Sequence, residues 1–238
     1  MSYLYPPVLM ERRLPIINLD MDGTGGCGVS EEMSPLEKRK SMRKRLPDWF
    51  KTSLPTGVAQ ARFNGTKGKV VEHGLNTVCE EARCPNIHDC WGRGTATFMI
   101  AGEVCTRGCR FCAVGTVRTP PELDPEEPKE LADAIKRMGL SYAVITVVNR
   151  DDLYDGGASH YKDCIQRVSE TNPGVGLELL CSDLDGNLDS LEMLLEGLPL
   201  KVFAHNVECV PRLDSVVRDP RASFEQSLKI LRLSLIHI

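Results

Sequence analysis

Aromatic side chains are scarce in this chain, at 5% of 238 residues with two Trp, so large rings contribute little to its packing. Long apolar runs are missing as well. The strongest, residues 142–148 (YAVITVV), is seven residues with a Thr inside, far short of the roughly 20 needed to cross a bilayer as a helix. No membrane association is expected. An excess of basic charge is also lacking: 29 Lys and Arg against 33 Asp and Glu give a net charge of −4, which argues against nucleic acid or another polyanion as partner. Residues 1–10 have neither the basic start nor the apolar core of a secretory signal, so the cysteines are expected to stay reduced. A mitochondrial or plastid transit peptide is poor in acids, yet Glu11, Asp20, Asp22, Glu31, Glu32 and Glu37 fall within the first 45 residues. A cytoplasmic location is therefore expected, with mitochondrion or plastid the alternative for a eukaryotic chain. No internal repeat or low-complexity tract is visible.

What is present begins with an ordinary globular composition, 42% apolar and 26% charged. From about residue 96 the chain alternates β-rich runs with helical patterns, as βα units around a parallel sheet do. Strands are expected at 96–101, 142–148, 175–181 and 200–205. Leu131, Ile135 and Met138 mark one helix stripe and Leu188, Leu191, Leu194 and Leu198 another; a further helix is expected at 159–170. Right-handed crossovers then give a partial (β/α) barrel with four βα units, an α/β fold. Residues 1–60 read as an N-terminal extension, 61–95 as a cysteine-bearing segment without long periodicity, and 96–238 as the barrel. Six of the eight residues at 38–45 (KRKSMRKR) are basic, which reads as a solvated helix face rather than a docking site. Phe224, Leu228, Leu231 and Leu235 form a final apolar stripe with no stop signal after it. A truncated or altered end is expected from that.

Ten Cys in a chain of this size is many, and six of them lie within the 34 residues 79–112. The first triplet, Cys79, Cys84 and Cys90, has the spacing C-x4-C-x5-C; the second, Cys105, Cys109 and Cys112, has C-x3-C-x2-C. A disulfide framework needs an oxidising compartment and ranks last. Structural zinc prefers four ligands from paired short motifs, and only Cys109 and Cys112 form a C-x2-C, with His88 a conceivable recruit. Iron–sulfur clusters are wrapped by thiolates packed this densely into loops. Three thiolates leave one iron of a [4Fe–4S] cluster without a protein ligand, and an open position on a metal is where chemistry occurs. Cys27, Cys164, Cys181 and Cys209 lack cluster spacing and read as small buried hydrophobes.

The second triplet, just after the first expected strand, resembles the signature of the radical S-adenosylmethionine superfamily. Residues 76–121 (NTVCEEARCPNIHDCWGRGTATFMIAGEVCTRGCRFCAVGTVRTPP) resemble the lipoyl synthase family within it. The likeness continues through VVNRDDLYDGG at 147–157, FAHNVECVPRL at 203–213 and VRDPRASFEQSLKIL at 217–231, and back to LPDWFKTSLPTG at 46–57. The resemblance implies that Cys105, Cys109 and Cys112 hold a radical-generating [4Fe–4S] cluster whose free iron chelates S-adenosylmethionine, with Phe111 beside the adenine. It implies that Cys79, Cys84 and Cys90 hold an auxiliary [4Fe–4S] cluster that donates sulfur. The implied reaction inserts sulfur at C6 and C8 of an octanoyl chain amide-linked to a carrier lysine, on an E2 lipoyl domain or a glycine-cleavage H protein. Such carbons offer no handle to acid–base or nucleophilic catalysis, so a radical route fits their chemistry. Further implied partners are a low-potential ferredoxin or flavodoxin and cluster-assembly proteins. The family's fourth auxiliary ligand is a Ser in an R-S-S-Y-type motif; Arg221 to Phe224 (RASF) lacks the Tyr and is not given that role. The family barrel has about six βα units. Rival readings are another radical enzyme of the superfamily with an auxiliary cluster, and a non-catalytic iron–sulfur or zinc module.

Residues at the C-terminal ends of parallel strands are the further candidates. Asn149 and Asn206 are expected to hydrogen-bond S-adenosylmethionine, His205 and Glu208 follow the fourth strand, and Asp151 and Asp152 read equally as solvated loop or helix-capping residues. In 175–181, alternation puts Glu178 on one face with Gly176 and Leu180. A lumen-facing contact from Glu178 to a ligand is expected, against an ion pair with Lys201.

Overall fold

The structure is a computed structural model and describes residue 54 and residues 56–73, 77–81 and 84–237. The basic stretch at 38–45, Cys27 and most of 46–57 lie outside these residues. In chain order the elements are α1 (Val58–His73), α2 (Val78–Glu81), α3 (Ile87–Gly92), β1 (Thr95–Ile100), β2 (Val104–Cys105), β3 (Gly115–Thr116), α4 (Glu127–Met138), β4 (Tyr142–Val147), α5 (Ala158–Thr171), β5 (Gly176–Leu180), α6 (Leu188–Leu195), β6 (Val202–Ala204), α7 (Asp214–Val217) and α8 (Phe224–His237).

Period-2 alternation builds the sheet. β1, β4, β5 and β6 pair in parallel in that order, four strands as expected, each within two residues of its expected bounds. Ala96, Phe98, Ile100, Ala143, Ile145, Leu177 and Leu179 point to one face and are buried. Leu131, Ile135 and Met138 of α4, Tyr161 and Ile165 of α5, and Leu191 and Leu194 of α6 cover them. Helix α4 starts beside Pro128, whose fixed φ suits a first turn. It stops at Gly139, whose φ of 65° lets its N–H close on the Ile135 and Lys136 carbonyls at 3.1 Å. The described residues fall in one compact unit, Thr52–Ile238.

Four expectations change. The segment before 96 contains α1, a 16-residue helix; its buried seam is only Phe63, Thr66 and Val70, too narrow to show as periodicity. Phe63 packs its ring 4.5 Å from that of His88 and 5.9 Å from that of Trp91, which is fully buried. In α6, Leu188 is exposed and Leu198 lies beyond the helix end, so Leu195 completes the buried set with Leu191 and Leu194. In α8 the buried seam is Ser227, Ile230 and Ser234, whereas Leu235 of the expected stripe is 79% exposed. Buried Ser227 has a polar partner there: Arg218 Nη2 donates to its Oγ at 3.1 Å. The loop holding the second triplet carries a parallel pair, β2 with β3, that no sequence pattern announced.

Candidate functional site

The sheet face opposite the helices alternates in step with the buried one. Met99, Thr146 and Leu180 stand side by side in register across β1, β4 and β5 and form the floor of a cavity of about 310 Å³, within the range of small-molecule sites. It opens at the C-terminal ends of the strands, where parallel βα folds place their chemistry. Cys105 lines it from the end of β2, Cys109, Phe111 and Cys112 from the loop that follows, Asn149 from the end of β4, and His205 and Asn206 from the end of β6. Phe111 is 52% exposed. The second triplet and three of the four expected contacts thus meet at one place.

Glu178 does not join them. Its carboxylate accepts a 2.9 Å hydrogen bond from the Tyr142 hydroxyl. Tyr142 faces Gly176 across the ladder, and its ring lies where a Cβ on Gly176 would come within 2.5 Å. The glycine admits that ring, not a ligand. The face was right and the depth wrong: Leu180, one pleat further, reaches the cavity and Glu178 does not. The partner is Tyr142, and not Lys201, the alternative to a ligand. Gly176→Ala should drive the ring aside and cost about 1–3 kcal/mol, checked by denaturant unfolding; an unchanged midpoint would show that Tyr142 relaxes freely.

The cysteine loop is held by charge. Arg107, between Cys105 and Cys109, is buried, and its guanidinium grips Asp151 through Nε at 2.9 Å and Nη2 at 2.7 Å. Nη1 reaches Asp183 at 2.7 Å. Asp183 is itself buried and accepts further bonds from Gln226 at 2.8 Å and Asn149 at 3.3 Å. Burial alone would push the Asp151 carboxyl up, but hydrogen bonds from Arg107 and Thr106 and the charges of Arg107 and Arg221 hold it below the usual carboxylate range. Asp151 is therefore tied into a largely buried ion pair, whereas Asp152 stays exposed and pairs with buried Arg150 at 2.8 Å. From the far end of the chain, Asp219 accepts the Gly108 N–H at 3.0 Å and directs its own N–H to Cys109 Sγ at 3.3 Å. Arg221 donates to the Thr106 carbonyl at 2.6 Å and pairs with Asp151 at 3.1 Å. The Arg221 hydrogen bond holds the Asp219 carboxyl well below its ordinary value.

The first triplet stands on α2, the turn after it, and α3. Cys84 N–H bonds the Cys79 carbonyl at 3.0 Å, and Cys90 N–H bonds the Asn86 carbonyl at 3.0 Å. Burial, then the neighbouring Cys79, pushes the Cys90 thiol up. Val78, adjacent to Cys79, lines the same cavity. Among the described residues, the donor trio lying within 4.8 Å of one another is Glu127, His160 and Cys164 between α4 and α5. All six cysteines of the two triplets are free, and Cys105, Cys109 and Cys112 line one cavity, a donor set that fits a [4Fe–4S] cluster with one iron left open. Arg107, Asp183, Arg218, Asp219 and Arg221 escaped the sequence reading. An Arg between two cluster cysteines was the one local hint; the rest is pairing across the chain.

Comparison with known proteins agrees with this geometry. Residues 99–235, more than half of the chain, match the family model of the Radical SAM superfamily. Residues 28–84 match that of the N-terminal domain of lipoyl synthase of the Radical SAM family. Lipoyl synthase, mitochondrial, of Trypanosoma brucei gambiense is 52% identical over 212 residues, 85% of this chain and 51% of that protein. The protein of the same name from Rattus norvegicus is 50% identical, over 83% of this chain and 53% of its own; that from Yarrowia lipolytica is 46% identical, over 90% and 62%. The chain thus spans about half the length of the curated relatives it matches. Among solved structures, methylornithine synthase (PylB) superposes with a TM-score of 0.47 at 16% identity, over 76% of this chain and 56% of that one. The sulfur spacing, the parallel sheet and the family match converge: the chain belongs to the Radical SAM superfamily.

Proposed function

We propose that this chain carries the catalytic core of a lipoyl synthase, inserting sulfur at C6 and C8 of an octanoyl-lysine on a carrier protein. The observation that supports it most directly is a cavity lined by Cys105, Cys109 and Cys112 together with Val78, the chain neighbour of Cys79. Each triplet offers three thiolates to a [4Fe–4S] cluster. When bound, the clusters and S-adenosylmethionine supply hydrogen abstraction from unactivated carbon and the sulfur itself. The chain's own residues hold and shape that chemistry. Arg107, Asp219 and Arg221 fix the cysteine loop; Phe111 offers a face to the adenine; Asn149 and Asn206 offer amides to the nucleotide. The apolar floor of Met99 and Leu180 suits an acyl chain and keeps water from the reacting carbon.

The partners follow from that reading: an octanoylated E2 lipoyl domain or H protein, a low-potential ferredoxin or flavodoxin, and cluster-assembly proteins. The relatives' names favour the mitochondrion over the cytoplasm expected from the acidic residues between Glu11 and Glu37. Among the described residues no helix is long and apolar enough to cross a membrane.

Anaerobic reconstitution should load about eight irons per chain, four in each triplet. Incubation of this chain and of the full-length protein with an octanoyl-lysyl peptide, S-adenosylmethionine and strong reductant should add sulfur, read by mass spectrometry. Cleavage of S-adenosylmethionine without sulfur gain would point to another reaction of the superfamily, and uptake of zinc in place of iron to a metal module.

A further inference from the structure

Away from the cavity of the second triplet, whose lining includes none of them, Glu127, His160 and Cys164 bring three metal-ligating atoms within 4.8 Å of one another. His160 and Cys164 stand four residues apart on α5 and so share a helix face; Glu127 opens α4. The Glu127 carboxylate bonds His160 Nε2 and accepts the Ala101 N–H at 3.0 Å. Cys164 Sγ lies 3.7 Å from that same Nε2. A ring nitrogen offers one hydrogen or one lone pair, never both. Nε2 therefore answers the carboxylate or the thiol, but not the two together. A relay of acid, imidazole and thiol would put acid and thiol on opposite ring nitrogens, and Cys164 is fully buried, which closes its sulfur to any substrate. The convergence of all three on one point is what a shared cation asks for.

We propose that Glu127, His160 and Cys164 bind one divalent ion of the zinc class through a carboxylate oxygen, Nε2 and a thiolate, with water as the fourth ligand. On binding, the Cys164 S–H bond breaks, its proton leaves to solvent and a metal–sulfur bond forms, with no change of oxidation state. The carboxylate and thiolate balance the ion's two charges, so the filled site brings no net charge into a largely buried space. A sulfur and a nitrogen on one tetrahedral zinc lie about 3.6 Å apart, close to the 3.7 Å found here. An oxygen and a nitrogen on it lie about 3.3 Å apart, so the Glu127–His160 hydrogen bond opens to admit the ion. Their side chains are 23% and 10% exposed, which gives ion and water a way in. Thiolate with imidazole selects zinc over magnesium or calcium, which prefer oxygen alone. Such an ion pins α4 to α5, and the site does not depend on what fills the cysteine triplets.

The iron-loaded protein, exposed to zinc and freed of the excess by gel filtration, should hold about one zinc per chain with its iron undiminished, as elemental analysis reads. X-ray absorption at the zinc edge, which iron does not obscure, should show one sulfur and about three nitrogen or oxygen neighbours; this reading needs no variant to fold. Cys164→Ala removes the sulfur and leaves the Glu127–His160 hydrogen bond in place. It should weaken zinc uptake roughly 100-fold or more. Glu127→Gln keeps an oxygen for the Ala101 N–H but drops the charge, and should weaken uptake while the sulfur stays in the zinc shell. Absence of zinc from the iron-loaded parent, a three-sulfur shell beside intact iron, or equal zinc in parent and Cys164→Ala would overturn the site. Where zinc fills the triplets in place of iron, the parent should still hold one zinc more than Cys164→Ala, so this inference and the cluster reading fail separately.

Discussion

Replacing Cys105, Cys109 and Cys112 by Ala should reduce cleavage of S-adenosylmethionine to the assay background, whereas the same change at Cys79, Cys84 and Cys90 should leave cleavage intact and abolish sulfur insertion. The expectation follows from placement. The first set lines the cavity itself, on a loop clamped by Arg107 and Asp219. The second lies on α2, α3 and the turn between them, outside the cavity lining, to which only Val78, the chain neighbour of Cys79, belongs. Both sets need their protons displaced by metal, since thiolates are the ligands. The check is 5′-deoxyadenosine by chromatography, sulfur by mass spectrometry, and iron per chain, which should fall by about half in each variant. Loss of both activities on removing Cys79, Cys84 and Cys90 would count against a division of labour.

Arg107→Met should destabilise the protein by about 3–5 kcal/mol, because it strands the carboxylates of Asp151 and Asp183 without their buried cation. Arg107 and Asp183 side chains are each 2% exposed and that of Asp151 is 9%, so water offers little compensation. The same change releases the cysteine loop from the ends of β4 and β5. The pH dependence gives an independent check. Asp151 is held below the usual carboxylate range, so its pairing stabilises the fold fully above an unfolded pKa of about 4 and is lost as pH falls through the lower folded value. The variant lacks that contribution from Arg107 at every pH. The gap between parent and variant should therefore be widest near neutrality and narrow in acid, as denaturant midpoints measured down the pH scale would show. A gap that stays constant would place the cost in packing rather than in the ion pair.

Much of this molecule could be read from local pattern. The four strands were visible because alternating burial writes itself into a period of two. The six cysteines of the two triplets were visible because their short, dense spacings stand out from the rest of the chain. Helices α4 and α5 announced themselves through Leu131, Ile135 and Met138 and through the segment around Ser159. Where the pattern misled, another force had overridden propensity. In α8 the seam shifted to Ser227, Ile230 and Ser234, with Leu235 of the expected stripe turned to solvent and Ser227 accepting from buried Arg218. Helix α1 hid because three small contacts, Phe63, Thr66 and Val70, suffice to seat it.

Sequence alone determined the two cysteine triplets, the parallel sheet and the face each strand shows, since all three are encoded within a few residues of chain. Only the tertiary structure decided how deep a side chain sits and which distant groups meet: that Glu178 stops at Tyr142 short of the cavity, and that Asp219 closes on Gly108. Periodicity reports direction but not depth, and a hydrogen bond spanning 111 positions, as from the Gly108 N–H to the Asp219 carboxylate, leaves no local trace for a sequence reading to find.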